Sequence, residues 1–207
     1  MITVIPAVLE KTIEDIRAKV ERIRAYTDMI QLDVMDGSFV PNTTFNTPSL
    51  LADLPIQMEV HLMIQRPVLF VNSWALPNVT RLIVHFEAVD NMPHMIEHMR
   101  KTGKQVGIAI NPHTSTFELK PYLNDIDLVL VMGVEPGFSG QNFQKDVLEK
   151  IKEIKKLRPD VLVEVDGGVN AHNRDMLIEA GADILAAASF LWKSEDLGAA
   201  LTQLRGE

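Results

Sequence analysis

Short runs of apolar and β-branched residues recur along the chain, and most of them are continuously apolar rather than alternating with polar residues. A continuous apolar run of this length is typical of a strand that is buried on both faces, as in a parallel sheet. The pattern therefore predicts buried strands, in chain order Ile2–Ile5, Met29–Val34, Gln57–Met63, Arg81–Phe86, Gln105–Ile110, Leu128–Met132, Val161–Val165 and Asp183–Ala187.

Amphipathic helical patterns lie between many of these strands. Apolar residues three and four positions apart share one face of a helix. The helices predicted in this way have the apolar faces Ile13, Ile16, Val20 and Ile23; Met92, Met95, Ile96 and Met99; Val147, Ile151, Ile154 and Leu157; and Met176, Leu177 and Ala180. A last helix is predicted over Leu197–Leu204, and the segments after the second and fifth strands carry weaker helical patterns.

Eight strands with helical segments between them match the element count of a (β/α)8 barrel, the α/β fold known as the TIM barrel. Spread over eight units, 207 residues give about 26 per unit, which is short but sufficient. A doubly wound open sheet is the alternative, but Pro6-Ala7-Val8 after the first strand lacks the glycine-rich turn of that fold. No linker-like stretch divides the chain, so we expect one barrel domain over residues 1–207.

The composition narrows the classes of function. The chain carries 20 Lys and Arg against 28 Asp and Glu, a net charge of −8 that disfavours general nucleic-acid binding. It has no cysteine, which excludes disulfides, thiolate metal ligands and cysteine nucleophiles. The first residues do not resemble a signal peptide, and no apolar run reaches the roughly 18 residues that a membrane span needs. We expect a cytoplasmic protein with neither a nucleic-acid nor a membrane partner.

Polar residues lie at the carboxyl ends of several predicted strands, which is the end of a (β/α)8 barrel that carries catalytic groups. Asp33 and Asp166 come from the second and seventh strands, His61 from the third, and His85 and Glu87 from the end of the fourth. Two carboxylates on opposite sides of a substrate suit proton removal from one face and proton delivery to the other. Asp33, His61 and Asp166 together could also hold a divalent metal that stabilises an enediolate oxygen.

Glycine-rich turns follow the later strands. Gly137-Phe138-Ser139-Gly140 follows the sixth strand, Gly167-Gly168 the seventh, and Ser189 the eighth. Barrel phosphate sites are commonly built from the loops after the seventh and eighth strands, where glycine lets backbone N–H groups approach the oxygens. Ordinary structural roles are the alternative: turns for these glycines, a satisfied core histidine for His61, and core packing for the strand-end methionines Met35, Met63 and Met132.

Taken together, these segments resemble the ribulose-phosphate 3-epimerase family, which includes allulose-6-phosphate 3-epimerase. The motifs occur in the family's order from residue 4 to about residue 192, and their combination is far more specific than any one fragment. The segments that carry the resemblance are Leu32-Asp33-Val34-Met35-Asp36-Gly37, Phe39-Val40-Pro41-Asn42, Val60-His61-Leu62-Met63, Val84-His85-Phe86-Glu87, Asn111-Pro112, Pro136-Gly137-Phe138-Ser139-Gly140-Gln141, Glu164-Val165-Asp166-Gly167-Gly168-Val169 and Gly181-Ala182-Asp183.

The resemblance implies a barrel of the ribulose-phosphate-binding type and an isomerase of the pentose phosphate pathway. The implied reaction is metal-dependent inversion at C3 of a ketose phosphate, D-ribulose 5-phosphate to D-xylulose 5-phosphate, by two-aspartate proton transfer through a metal-stabilised enediolate. One divalent ion is implied, whether zinc, iron(II), manganese or cobalt. A small phosphorylated sugar is the implied partner, and the chain is expected to form a homo-oligomer.

The resemblance also assigns roles to individual positions. Asp33 and Asp166 match the family's catalytic acid–base pair and, with His61, its metal ligands. The positions that match its substrate and phosphate contacts are His61, Gly137, Phe138, Ser139, Gly140, Gly167, Gly168, Ala188 and Ser189. The positions that match its pocket wall are Met35, Met63 and Met132.

Four positions depart from the family pattern. Gln31 stands where the family has a second histidine ligand, and its neutral carbonyl oxygen is a harder ligand that should bind zinc less well than imidazole does. Ile5 and Ala7 replace two serines of an early segment, and Ala188 replaces a glycine next to Ser189. These departures leave two alternatives open: a phosphosugar-binding relative without epimerase activity, and a divergent barrel enzyme acting on another phosphorylated substrate.

Overall fold

Eight parallel strands close into a barrel in chain order, with the first strand paired to the last. The structure is a computed structural model that describes residues 2–207. The predicted (β/α)8 barrel is confirmed. The strands are β1 (Thr3–Val8), β2 (Met29–Met35), β3 (Gln57–Met63), β4 (Val79–His85), β5 (Gln105–Ile110), β6 (Leu128–Met132), β7 (Leu162–Asp166) and β8 (Ile184–Ala187).

The strand bounds differ from the predicted ones mainly in β1, which runs beyond Ile5 to Val8. Pro6 lies inside this strand, opposite Ala187 of β8. Proline has no N–H to donate, so it favours the end of a strand, but its fixed φ is close enough to the extended region to be accommodated here. The extension brings Ala7 into register with Gln31 of β2.

The helices are α1 (Ile13–Ile23), α2 (Val71–Trp74), α3 (Met92–Lys101), α4 (Val147–Leu157), α5 (Arg174–Ala180), α6 (Ser189–Trp192) and α7 (Leu197–Arg205). Short 3-10 turns occupy the segments with weaker helical patterns, at Pro48–Leu51 after β2 and at Thr116–Leu119 and Leu123–Asp125 after β5. Over residues 2–207, none of the helices combines the length and the apolar character that a membrane crossing requires.

Side-chain caps begin three of the longer helices. Thr12, Asn91 and Asp196 each accept a hydrogen bond from the backbone N–H three residues ahead, at the starts of α1, α3 and α7. Such a cap satisfies one of the N–H groups that the first helical turn leaves unpaired. These residues therefore define where the helices begin around the barrel.

The core has two layers, separated by the wall of strands. Residues that point outward from the strands pack against the apolar faces of the helices, and residues that point inward fill the barrel. The continuous apolar runs arise because both faces of each strand are buried. The apolar inner layer consists of Ile5, Ile83, Ala109, Leu128, Leu130, Met132 and Ile184.

A buried charged cluster also lies inside the barrel. Arg81 Nη1 is 2.5 Å from Glu59 Oε2 and 3.7 Å from Glu164 Oε2, and both glutamate side chains are fully buried. Burial, with the charge of Glu59 added to it, raises the pKa of Glu164 well above its usual 4.5. Burial also raises the pKa of Glu59, against the charge of Arg81, so one guanidinium faces two buried glutamates, of which Glu164 has the stronger tendency to be protonated.

Candidate active site

Asp33, His61 and Asp166 meet inside the barrel near the carboxyl ends of its strands. Asp33 of β2 is in register with His61 of β3, and Asp166 lies at the end of β7. All three side chains are buried, and one potential ligand atom from each lies within 4.8 Å of the others. The structure thus brings together the three residues that the strand-end pattern singled out.

Gln31 lies between the two carboxylates. Its side-chain nitrogen Nε2 donates hydrogen bonds of 2.8 Å to Asp33 Oδ1 and 2.8 Å to Asp166 Oδ2. Its oxygen Oε1 is buried and has no hydrogen-bond partner within residues 2–207. Gln31 is the position that departs from the family's ligand pattern, and its side chain lies within the cluster.

His61 extends the cluster toward β4. Its Nδ1 lies 3.1 Å from Asp33 Oδ1 and 3.4 Å from Asp166 Oδ2, and its Nε2 lies 2.9 Å from Nε2 of His85. The other ring nitrogen of His85 lies 3.3 Å from Glu87 Oε2. A chain of hydrogen-bonding groups therefore leads from the aspartates to Glu87, whose side chain is partly exposed.

Opposite pKa shifts follow from this chain. Burial lowers the pKa of His61, but hydrogen bonds to Asp166 and Asp33 and the charges of both carboxylates outweigh it and raise the pKa to about 9. Burial lowers the pKa of His85 to about 4, against the hydrogen bond to Glu87. His61 is therefore an imidazolium at neutral pH that donates from both nitrogens, and neutral His85 accepts from it and donates to Glu87.

The pKa of Asp33 is raised from 3.8 to about 6 by burial and by the nearby charge of Asp166, against hydrogen bonds from His61 and Gln31. Two carboxylates this close disfavour each other's ionisation. A carboxyl group with a pKa near neutrality can both take up and release a proton under ordinary conditions. The pair is thus suited to acid–base chemistry.

The donor set fits a divalent cation. Two carboxylate oxygens and one imidazole nitrogen converge in a buried space, and the amide of Gln31, whose Oε1 has no hydrogen-bond partner among residues 2–207, lies beside them. Mixed oxygen and imidazole ligands suit zinc, iron(II), manganese and cobalt.

The cluster opens into a cavity at the mouth of the barrel. Asp33 and Asp166 lie on its floor, and the predicted pocket-wall and phosphate positions that line it are Met35, Met63, Met132, Gly137, Phe138, Ser139, Gly140, Gly167, Gly168, Ala188 and Ser189. His61 does not line it, because its ring lies fully buried behind the carboxylates.

The backbone conformation directly after β7 requires glycine at two positions. Gly167 and Gly168 have φ of +106° and +70°, a region that side chains other than glycine rarely adopt. A Cβ atom on Gly168 would lie 2.9 Å from the backbone of Phe143, and one on Gly167 would lie 2.5 Å from the side chain of Val134. Close packing between the loops after β6 and β7 therefore depends on both glycines.

The methionines serve packing as well as the cavity. Met35 and Met63 pack with Val40 in a small buried cluster at the mouth, and Met132 belongs to the inner core of the barrel. Core packing and a place in the pocket wall are therefore compatible roles for these methionines, because each side chain is buried and also faces the cavity.

Ile5 and Ala7 lie in the barrel wall. Ile5 packs in the inner core, and Ala7 is buried with its carbonyl accepting a 2.6 Å hydrogen bond from Trp192 Nε1. This bond joins α6 to β1. Ala188 immediately precedes α6 and lines the cavity beside Ser189.

Comparison with known proteins identifies the family. The model of the ribulose-phosphate 3-epimerase family matches residues 3–192 of the chain. The chain belongs to the ribulose-phosphate 3-epimerase family. Its members are isomerases of the pentose phosphate pathway, and the resemblance inferred from the motifs is confirmed.

Relatives in the epimerase family are similar over most or all of their length. The ribulose-phosphate 3-epimerase of Bacillus subtilis is 37% identical over 215 aligned residues, which cover 100% of this chain and 99% of the relative. That of Chlamydia muridarum is 39% identical over 82% of this chain and 78% of the relative.

Solved structures outside the family share the barrel at much lower identity. A 3-hexulose-6-phosphate synthase has a TM-score of 0.72 at 14% identity, covering 99% of each chain. A tryptophan synthase α-subunit from Pyrococcus furiosus has a TM-score of 0.76 at 14% identity, covering 99% of this chain and 98% of the other. At this identity the likeness establishes the fold alone.

Some residues of this epimerase-family site were not assigned a role from the sequence. His85 and Glu87 were recognised as strand-end residues, but their link to His61 depends on the register of β3 and β4. Asn42 donates a 2.7 Å hydrogen bond from Nδ2 to the carbonyl of Gly137 and so joins the loops after β2 and β6. The sequence indicated Asn42 only as part of a segment that resembles the family. Its bond could not be predicted, because a side chain-to-backbone contact between residues 95 positions apart produces no local sequence pattern.

Proposed function

We propose that this chain inverts the configuration at C3 of a ketose phosphate, interconverting D-ribulose 5-phosphate and D-xylulose 5-phosphate. The observation that carries the proposal is the convergence of Asp33 and Asp166 on the floor of the cavity, each 2.8 Å from one nitrogen of Gln31. Membership of the ribulose-phosphate 3-epimerase family supports the same reaction class.

The two aspartates act as the acid–base pair. The carboxylate of one takes the C3 proton, and the electron pair of the C–H bond passes into the adjacent C2 carbonyl to give an enediolate. The carboxylic acid of the other delivers a proton to the opposite face of C3 as the electron pair returns. The pKa of Asp33, raised to about 6 by burial and by the charge of Asp166, supports this role, because such a carboxyl group takes up and releases a proton near neutral pH.

Asp33, His61 and Asp166 would hold one divalent cation, with Gln31 as a fourth candidate ligand through Oε1. The ion supplies positive charge that stabilises the negative oxygens of the enediolate. Without the ion, His61 and Gln31 orient the two carboxylates, since each donates to both of them. As a ligand of the ion, His61 would give up the proton on Nδ1. Met35, Met63 and Met132 cover the reacting carbons with apolar surface and limit the access of water.

The phosphate of the substrate would lie at the other end of the cavity. Glycines of the loops after β6 and β7 line that end, together with Phe138, Ser139, Ala188 and Ser189. Glycine leaves backbone N–H groups open to phosphate oxygens, and Ser139 and Ser189 carry hydroxyls. These groups support a small phosphorylated sugar as the partner without any requirement for net positive charge.

Asp33→Asn and Asp166→Asn should each lower the rate of interconversion by at least about a hundredfold, since each removes one half of the proton transfer. The measurement is conversion of D-ribulose 5-phosphate with protein reloaded with zinc, iron(II), manganese or cobalt. Asp53→Asn is a matched control because that side chain is exposed and pairs with Arg17 on the surface. Retained activity in Asp166→Asn, or no activity in the native chain with any metal, would contradict the proposal.

We further propose that residues 1–207 form one domain, supported by the pairing of β1 with β8 that closes the barrel. A homo-oligomer and a cytoplasmic location are supported by the family likeness and stay predictions. Light scattering on the purified chain measures the oligomeric state directly.

A further inference from the structure

The side chain of Gln31 has two chemically different ends, and only one of them is satisfied. Nε2 carries two hydrogens and donates one to each carboxylate, at 2.8 Å to Asp33 Oδ1 and 2.8 Å to Asp166 Oδ2. Oε1 of the same amide is fully buried and accepts no hydrogen bond from the part of the chain that the structure describes. A buried, unpartnered carbonyl oxygen is uncommon and calls for a physical reason.

The observed orientation lets the amide act as a neutral clamp between two acids. Hydrogen bonds from N–H groups to carboxylates are stronger than bonds between neutral groups. Here one nitrogen provides two of them, to side chains whose charges repel each other. The clamp keeps Asp33 and Asp166 together at the spacing that the site needs.

The opposite orientation has a different requirement. The oxygen and nitrogen of a glutamine amide have nearly the same size, so a half-turn about the last side-chain bond exchanges their positions without moving the rest of the residue. Oε1 would then face Asp33 Oδ1 and Asp166 Oδ2, three oxygens without a hydrogen between them. This arrangement is repulsive by itself and becomes favourable when a cation lies among the three oxygens.

We propose that Gln31 is a two-position residue: its nitrogen bridges Asp33 and Asp166 in the metal-free protein, and its oxygen turns to become the fourth protein ligand when a divalent cation binds. The inference rests on the metal site of the proposed function. Metal binding must break two charge-assisted hydrogen bonds, so the amide limits affinity. The hard carbonyl oxygen also shifts the preference of the site from zinc toward manganese and iron(II), relative to an imidazole at the same position.

The first experiment follows the amide itself by NMR of ¹⁵N-labelled protein. The side-chain NH₂ signals of Gln31 are assigned by their absence from the spectrum of Gln31→His. In the chelator-treated native chain, both protons should exchange slowly and resonate downfield, because both are donated to carboxylates. Titration with ZnCl₂, which is diamagnetic, should move both signals upfield and speed their exchange. Unchanged signals at saturating zinc would overturn the inference.

The second experiment measures metal affinity by competition with a chromophoric chelator. Gln31→His should raise the ratio of zinc to manganese affinity by about tenfold or more, because an imidazole nitrogen replaces the carbonyl oxygen. Gln31→Leu should weaken both metals by a similar factor of about ten, because a ligand is lost. Gln57→His is the matched control, since Gln57 is exposed at the opposite end of the barrel, at the start of β3. The same ratio in the native chain and in Gln31→His would overturn the inference.

Failure of the inference and failure of the proposed function give different results. Amide signals that respond to zinc in a chain that epimerises with no metal support the inference and overturn the proposed function. Amide signals that stay fixed in a chain that binds zinc and epimerises overturn the inference and support the proposed function. The zinc titration and the epimerase assay are both carried out on the native chain, and Gln31→His serves there only to assign the amide signals.

Discussion

The ring of His61 lies between the buried carboxylates and His85. Its hydrogen bond and its positive charge lower the pKa of Asp33 and so favour the ionised carboxylate. One nitrogen faces Asp33 Oδ1 and Asp166 Oδ2, and the other faces the acceptor nitrogen of His85. An imidazolium in this position is stabilised by two anions on one side and an acceptor on the other. The protonation of this one residue therefore contributes to the stability of the metal-free barrel.

The stability of the chelator-treated protein should fall as the pH rises from 6.5 to about 9. The pKa of His61 is raised from 6.5 to about 9 in the folded chain, so the folded state holds a proton that the unfolded state has lost over this range. The stabilising contribution is complete below pH 6.5 and is lost as the pH passes about 9, with a total of roughly 3 kcal/mol. Urea unfolding at several pH values measures it.

The matched comparison is His61→Asn, which should show little of this slope because no proton is bound there. A native chain whose free energy of unfolding is flat between pH 6.5 and 9 would show that His61 is neutral. The hydrogen-bond assignment of the cluster would then be wrong.

At the residue scale, the reactive groups could be predicted from the sequence, whereas the side chains that contact them could be predicted less well. Asp33, His61 and Asp166 could be predicted because strand ends in a barrel converge at one mouth. The position of the Gln31 amide between the carboxylates could not, because it depends on a side-chain rotamer and on how closely β2 and β7 approach each other across the barrel interior. A residue type predicts which bonds a group can make, but the fold decides which bonds it makes.

The loops after β6 and β7 are the elements that shape the far end of the cavity. They pack against each other at Gly168 and Phe143, and Asn42 joins the first of them to the loop after β2. Segments without regular structure are held here by backbone contacts that only glycine permits. Their conformation should therefore respond strongly to a single methyl group.

Gly168→Ala should destabilise the protein by about 2–3 kcal/mol, through an unfavourable φ and a clash with Phe143. Gly140→Ala is the matched control: its φ of +82° is similarly positive, but a Cβ there meets no atom within 4 Å. It should cost only about 1 kcal/mol. Thermal and urea unfolding of both variants measure the difference, and equal losses would show that the two loops are not packed as described.

The lengths of the elements were predictable to different extents. The bounds of β3, β5 and β6 match the apolar runs, because buried parallel strands consist of such runs. The short 3-10 turn at Pro67–Leu69 was not predicted, since a turn of three residues has no periodicity to recognise. Arg66 before it has a φ of 52°, which no local residue preference indicates.

At the scale of the whole molecule, the barrel interior holds a charged cluster as well as an apolar one. The cluster of Arg81, Glu59 and Glu164 is buried, and the pKa values of both glutamates are raised, above all by burial. Arg81 is the positive group that allows a carboxylate to remain ionised there. The sequence does not predict that Arg81 lies inside the barrel, because a charged residue near the start of an apolar run is typical of an exposed strand end.

Arg81→Met should lower the free energy of unfolding by about 3–5 kcal/mol, because it leaves two buried carboxyl groups without a cation. Glu164→Gln should change it by less than about 1 kcal/mol, because a protonated acid is replaced by a neutral amide of the same shape. Urea unfolding at pH 7 compares the two variants. A large loss in Glu164→Gln, or none in Arg81→Met, would contradict the charge states assigned to the cluster.

The whole-molecule comparisons separate the fold from its chemistry. Barrels with 14% identity superimpose with TM-scores above 0.7, although one is a 3-hexulose-6-phosphate synthase and another a tryptophan synthase α-subunit. Epimerase-family relatives at 37–39% identity share the chain over most of its length. The strand pattern predicts the barrel, whereas the reaction depends on the few side chains at its mouth.

The most direct test of the two-aspartate account is proton exchange at C3 of D-ribulose 5-phosphate in D₂O, followed by NMR with metal-loaded native protein. Removal of the C3 proton by one aspartate and delivery by the other predicts that the D-xylulose 5-phosphate formed carries solvent deuterium at C3 in nearly every turnover. D-Xylulose 5-phosphate that retains the original hydrogen, or a complete absence of both product and deuterium with every metal, would contradict it.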